Sequence, residues 1–472
     1  MKLFPFNAIE KCYNAKVDAA GLGVFRIAYG GVLFSQVLFL LQFRYLIFMD
    51  PVRPDVLIYC WLIATFGVLI GFQTRICTVL NYVLSVIIVL KLGTYSYDFD
   101  KIMISMNFLM MFIPVGKAFS VDRLLKHGRG SENSTSILSY YIPVLICLGF
   151  PYLDSGCHKI LSDNWTTGIG IWAPMAKTHL TRQIGLDYSF FVDNKFLVYF
   201  SNYLIVMFEL CFVFLFWFRE IRMILLLIGI GMHVGIFLIF PIPLFAIGCV
   251  VFYILLLPPN FFRRNKSVPI VHSDEIAPSP LLKQSRIKML CIGMLLIFFS
   301  IIQVEYLINY FRGKEYMLIP KYESTKFTNQ KTSKVLAGGE NLNDKFLLWC
   351  TRILGIGNHK VFVDHHVNNS RTILAIVYKI DATEEWLPII TPEGHPGRYL
   401  QDRVWSRWTG YVMGPNFRIR NRLAETANLI EFWCLIKVRL RSLIHLSCCC
   451  RERILFLLVF TMNLVRLKNE YK

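Results

Sequence analysis

The stretch "GCHKILSDNWTTG" at 156–168 places Lys159 directly after a histidine and shortly before Trp165. A lysine just past the end of an apolar segment has an ordinary role: its stem lies along hydrocarbon and its ammonium reaches the headgroups. It gains a chemical role only if it is covered. The following "NWTTGIGIWAP" is too apolar for a freely solvated loop and reads as a re-entrant or interfacial lid. A lysine under such a lid is partly desolvated, which favours the neutral amine that a general base needs.

Three further ionisable residues fall inside apolar runs, where a charge costs about 2.5–3.5 kcal/mol on insertion scales. Glu209 lies near the middle of "FLVYFSNYLIVMFELCFVFLFWF", too deep to snorkel. It must be protonated, paired with a cation such as Arg26, or set against a wet cavity. Arg26, near the start of "GLGVFRIAYGGVL", can reach an interface by itself. His233, in "GIGMHVGIFLIF", is either a satisfied core residue or part of a site on the side where Lys159 falls. Asp98 and Asp100, in "TYSYDFDKI", cannot face each other on a helix at a spacing of two. They read as loop and capping residues, with the alternative that one of them, Asp98 or Asp100, faces the same cavity as Lys159.

The elements that carry these residues are apolar and long. Of 472 residues 55% are hydrophobic and 17% charged, whereas soluble chains carry about a quarter charged residues. Candidate spans are 20–43, 56–72, 76–92, 102–116, 137–153, 196–218, 221–240, 243–258 and 289–310. Several are shorter than the roughly 20 residues a bilayer requires. The expected fold is an all-α polytopic membrane bundle of about nine transmembrane helices over 1–310. A small β-rich extracytoplasmic domain follows over 311–420, and an amphipathic, interfacial helical tail over 421–472. The net charge of +19 lies in short loops; it fits topology signals and contact with membrane lipid, and argues against nucleic acid. Lys and Arg concentrate in alternate loops, such as that of Lys117, Arg123, Lys126 and Arg129. This bias puts the N-terminus in the cytoplasm. It puts loop 154–195 and everything after the ninth span on the outer side, lumenal or periplasmic.

Beyond 310, "TILAIVYKI" at 372–380 has the composition of a strand, and "EEWLPIITPEGHPGRYL" reads as two extended stretches about a Pro-Glu-Gly turn. Residues 421–446 read as an amphipathic helix and 454–465 as an interfacial one. Thirteen cysteines are scattered without zinc-type spacing, and no metal site is expected. The run Cys448–Cys450 is an acylation site if it faces the cytoplasm. Of the glycosylation sequons at Asn133, Asn164, Asn265 and Asn368, this topology puts only Asn164 and Asn368 outside.

Several stretches in this order resemble the HTTM domain shared with the vitamin K-dependent γ-carboxylases. They are "GLGVFRIAYGGVL", "YDFDKIMISMNFLMMFIPVGKAFSVDRLL", "HKILSDNWTTG", "FELCFVF" and "GMHVGIFLIFPIPLFAIGCV". The resemblance covers about residues 15–310. It implies that Lys159 is the base toward reduced vitamin K or another lipid quinol, and that His233 is a second catalytic residue. Asp98, Trp165, Glu209 and Arg26 would then contribute to binding. The chemistry it implies runs through O₂ and CO₂. The deprotonated quinol is oxygenated to a strong alkoxide base, the base removes a γ-proton from a glutamate of a protein or peptide substrate, and the carbanion captures CO₂. The Lys-to-Trp spacing is one residue longer here than in the carboxylases, and no propeptide site is recognisable. The alternative is a non-enzymatic HTTM membrane protein that assists export or maturation of a peptide through its outer domain.

Overall fold

The computed structural model describes residues 10–48, 54–125, 133–182, 189–259, 261–262, 282–311, 342–359, 361–363, 372–380, 383–409, 426–434 and 455–463. Cys448–Cys450, the sequons Asn265 and Asn368, and Lys126 and Arg129 lie outside them. The chain is mostly helical. α1 (Ala20–Ile47), α2 (Asp55–Ile70), α3 (Thr74–Leu92) and α4 (Asp98–Met110) come first. α5 (Leu138–Val144) passes through a π-helical turn at Leu145–Gly149 into α6 (Phe150–Lys159). α7 (Lys195–Leu215), α8 (Arg219–Ile239), α9 (Pro243–Phe252), α10 (Leu282–Phe311), α11 (Leu342–Leu354) and α12 (Asp402–Arg407) follow.

Among the described residues five helices are long and apolar enough to cross a membrane: α1, α3, α7, α8 and the Lys288–Ile308 portion of α10. Asp55–Ile70 and Pro243–Leu256 are apolar but shorter. The expected span 102–116 is a helix of 13 residues that starts earlier, at Asp98. Adjacent helices pack in sequence order, α1 on α2, α2 on α3 and α3 on α4, while α9 returns to pack on α1 and α6 lies along α7.

The segment before Lys159 departs from expectation. The fall in hydropathy after Leu153 predicts a span end there, yet α6 continues through Lys159. Its polar residues Asp154, Ser155, His158 and Lys159 are all buried. They meet protein groups instead of lipid, so the helix persists where an isolated span would stop. Pro143 lies inside α5, where it removes a backbone donor, and the π turn just after it is an ordinary accommodation of such a break. Gly156 lets α6 approach α7 closely: a Cβ there would meet Leu210 at 2.9 Å.

Two small antiparallel sheets complete the fold. β1 (Lys16–Asp18) pairs with β2 (Ser134–Ser136) beside the start of α1. β3 (Thr372–Ile380) lies between β4 (Thr383–Trp386) and β5 (Leu455–Asn463). The Pro-Glu-Gly turn is present, with Thr391 N–H bonded to His395 O at 2.8 Å and Gly394 at φ +88°. The interfacial helix expected at 454–465 is instead β5, in register with β3 at Phe460 opposite Ala375. Its run of Leu, Phe and Val suits a strand, and pairing along β3 satisfies the backbone that a helix would satisfy internally. Of the expected amphipathic helix 421–446, residues 426–434 are helical.

The segment after residue 310 is bound to the end of the bundle where α4 begins. Tyr82 OH donates to Ile353 O at 2.9 Å, Ser105 Oγ to Leu354 O at 2.6 Å, and Lys101 Nζ to Asn358 O. Arg403 grips Asp100 through two bonds of 2.8 Å. Non-helical backbone at 355–359 thus sits against helices α4 and α6, satisfied by protein partners.

Candidate functional site

Tyr152, Ser155 and Lys159 lie at i, i+3 and i+7 on α6 and share one stripe, turned toward α7 and α8. Lys159 is 4% exposed. Its Nζ donates to Ser155 Oγ at 3.0 Å and to Glu209 Oε1. The Trp165 ring covers the ammonium, with Nζ 4.8 Å from the ring centroid, a cation–π distance. Trp165 is itself buried, and its indole N–H donates to Phe362 O at 2.8 Å. Glu209 lies 14 residues into α7 from Lys195, about 21 Å along the helix axis. Lys159 is therefore set well inside the bundle from the Lys195 end of α7.

The Tyr152 hydroxyl is shared between His233 Nε2 at 2.8 Å and Tyr253 OH at 2.6 Å. Its ring packs on Phe208 and Phe212, which flank Glu209 on α7. Glu209 Oε2 and His233 Nδ1 are buried with no hydrogen-bond partner among the described residues. A buried acceptor left in this state costs about 1–3 kcal/mol, a cost that a substrate bearing hydroxyl groups would relieve.

The adjacent face of α6 carries a second polar group. Asp154 accepts from His359 N–H at 2.6 Å and from Gln303 Nε2 at 3.3 Å, while His158 Nδ1 lies 2.7 Å from Asp154 O. A narrow crevice lined by Ser105, Phe299, Gln303, Gly355 and His359 opens beside it. Among the described residues no group of three or more His, Cys, Asp or Glu could hold a metal ion.

Of the residues singled out by sequence, Lys159, Trp165, Glu209 and His233 come together. Arg26 and Asp98 do not join them. Arg26 stands at the far end of the bundle, donating to Val68 O, Leu69 O, Val115 O and Phe119 O; the cation paired with Glu209 is Lys159. Asp98 pairs with Lys101 at 2.8 Å. Asp100, read as a capping residue, does accept Tyr97 N–H at 3.0 Å, and it also anchors Arg403. Tyr152, Ser155 and Tyr253 were not expected. The first two could have been found by continuing the helical stripe back from Lys159; Tyr253 carries no local signal.

Outside the spans, burial displaces several groups. Asp402 is pushed up to about 7 by burial, which outweighs the Leu244 N–H bond and the nearby Arg403 and Arg182. Burial lowers Lys177 to about 8, and burial with the neighbouring Lys177 lowers His179 to about 4.

The family model described as the HTTM domain matches residues 14–261, a stretch that contains Lys159, Trp165, Glu209, His233, Tyr152 and Tyr253. No curated protein and no solved structure matches the chain.

Proposed function

The chain belongs to the HTTM-domain family, and on that premise we propose that it is a multi-pass membrane protein in which Lys159 acts as a base on a lipid-borne quinol. The reading follows the resemblance to the vitamin K-dependent γ-carboxylases. One observation carries it: an amine and a carboxylate buried together under an indole, with a carboxylate oxygen and a nearby histidine nitrogen that have no hydrogen-bond partner among the described residues.

The surrounding groups suit an aromatic diol. Trp165, Phe208 and Phe212 are flat apolar side chains around the Lys159–Glu209 pair, and Glu209 Oε2 and His233 Nδ1 have no hydrogen-bond partner among the described residues. A bound quinol would supply an acidic hydroxyl and, with O₂, the base strength an amine lacks. In this reading the proton of the Lys159–Glu209 pair first rests on the carboxylate, the free Lys159 amine then takes the hydroxyl proton, and Glu209 and Ser155 hold the resulting ammonium. Trp165 excludes water from the amine, which strengthens each of these interactions. Tyr152 fixes the His233 ring through Nε2, leaving Nδ1 for the second hydroxyl. Carboxylation of a peptide glutamate with CO₂ is the finer form of the proposal, with the site opening toward the outer side of the membrane.

The test is quinol epoxidation by the purified protein in lipid, with Lys159→Ala alongside. Epoxide from the unmodified protein and none from the variant is expected. Equal product from both removes Lys159 from the chemistry, and no product from the unmodified protein ends the enzymatic reading.

A further inference from the structure

The roof over Lys159 is a short irregular segment; the Trp165 indole N–H is held by Phe362 O, and two main-chain groups of the roof are held by one side chain. Asn202 stands on α7, two turns before Glu209 on the same stripe, and is fully buried. Its amide bonds the roof at two points: Nδ2 donates to Trp165 O at 2.9 Å, and Oδ1 accepts Gly170 N–H at 2.9 Å. Gly170 is itself pressed against the Trp165 ring, where a Cβ would overlap the indole. A weaker tether lies further out, where Tyr203 OH donates to Thr166 O at 3.0 Å near the surface.

A carboxamide is suited to this task. It offers a donor and an acceptor in one plane, so it can grip two backbone groups of an irregular loop as a strand edge would. Both roof contacts are to main chain, so they fix the path of the loop whatever its side chains. Neither roof group can be released without leaving a buried amide half unsatisfied, which makes the covered position the favoured one. The same helix thus supplies both the carboxylate that holds the ammonium and the clamp that holds the indole over it.

We infer that Asn202 is the positioning residue that sets Trp165 over Lys159 and so decides whether the amine is covered. The inference rests on reading Lys159 as the site, but it concerns coverage and not turnover. Its test therefore uses chemical access. The full chain, in lipid nanodiscs, is treated with a small membrane-permeant amine reagent. Modification of Lys159 is quantified by peptide mass spectrometry against Lys117, an exposed lysine at the far end of the bundle.

Asn202→Leu removes both bonds and raises Lys159 modification roughly tenfold, with Lys117 unchanged. Asn202→Asp keeps the acceptor for Gly170 and loses the donor to Trp165, and gives a smaller rise. Protection of Lys159 unchanged in both variants overturns the inference, as does a parallel rise at Lys117, which would report general loosening. If Asn202→Leu does not fold, Asn202→Asp against the unmodified protein decides the matter by the same criterion. A protein inactive toward quinol but showing this pattern would lose the proposed chemistry and keep the clamp.

Discussion

Arg26 and Lys159 are both buried cations, and their partners differ in kind. Arg26 directs its guanidinium at four backbone carbonyls, closing the end of α2 and the turn at 115–119. Gly71, at φ +69°, yields the space: a Cβ there would stand 2.7 Å from the guanidinium. Lys159 instead meets a hydroxyl and a carboxylate, beside a second carboxylate oxygen and a histidine nitrogen without partners. Carbonyls cannot exchange protons, so the first arrangement is a fixed cap. The second can redistribute a proton and holds open valences. Under the proposed function, the first charge is buried to join elements and the second to react.

The largest effects should divide along that line. Lys159→Ala is expected to lower quinol-dependent turnover by about 10²–10⁴-fold, the usual worth of a positioned base, while the protein still purifies folded. Arg26→Leu is expected to do the reverse. Stripping the cation from four buried carbonyls should cost roughly 3–5 kcal/mol, read as a lowered thermal midpoint in detergent, with labelling of Lys159 unaltered. Arg26→Lys should recover only part of the loss, because an ammonium lacks the planar fork that reaches all four carbonyls. A turnover defect in Arg26→Leu at full stability would break the division.

Asp402 tests an intermediate case, a titratable group held by backbone. It caps α9 through Leu244 N–H at 3.1 Å, from a backbone at φ +44°. Its carboxyl is raised from 3.8 to about 7 in the fold, so the native state holds the proton more tightly than the unfolded chain. Its contribution to stability is full below about pH 4 and is lost as pH rises through about 7, changing by about 1.4 kcal/mol per pH unit at most. Thermal midpoints measured from pH 5 to 8 should fall with pH from this group, and Asp402→Asn should flatten that component. A slope unchanged by the substitution would assign the pH dependence elsewhere.

Much of the site was legible from sequence because its residues are anomalies of composition. Glu209 and His233 are polar in apolar runs, and Lys159 precedes an aromatic loop too apolar for water. The depth of Lys159 was not legible. Hydropathy measures transfer to lipid, and the polar run Asp154–Lys159 looks like a loop by that measure, although protein partners carry the helix through it. With the helix stopped at Leu153, Ser155 and Tyr152 could not be placed on the Lys159 stripe. The nine apolar segments pointed to the helical class; among the described residues five helices are long and apolar enough to span. The bond of Arg403 to Asp100 crosses 303 residues and has no local signature. The fate of 454–465 was ambiguous in kind, since a short apolar run serves a strand as well as an interfacial helix.

The smallest predicted effect concerns the link between the two halves of the site. Through its hydroxyl, Tyr152 joins His233 and Tyr253 to the stripe of α6 that carries Lys159. Tyr152→Phe keeps the ring contacts with Phe208 and Phe212 and removes only the hydroxyl. Stability should fall by about 1 kcal/mol for the lost bonds, at most about a third of the Arg26→Leu effect. If the histidine serves only to fill the core, nothing more should change. If Nδ1 is held for a substrate hydroxyl, the imidazole loses its anchor, and quinol binding should weaken by several-fold while the Lys159 labelling rate stays as in the unmodified protein. That pattern, weakened binding with an unchanged cover over the amine, would place His233 with Lys159 on the reactive side of the division; unchanged binding would return it to the structural side with Arg26.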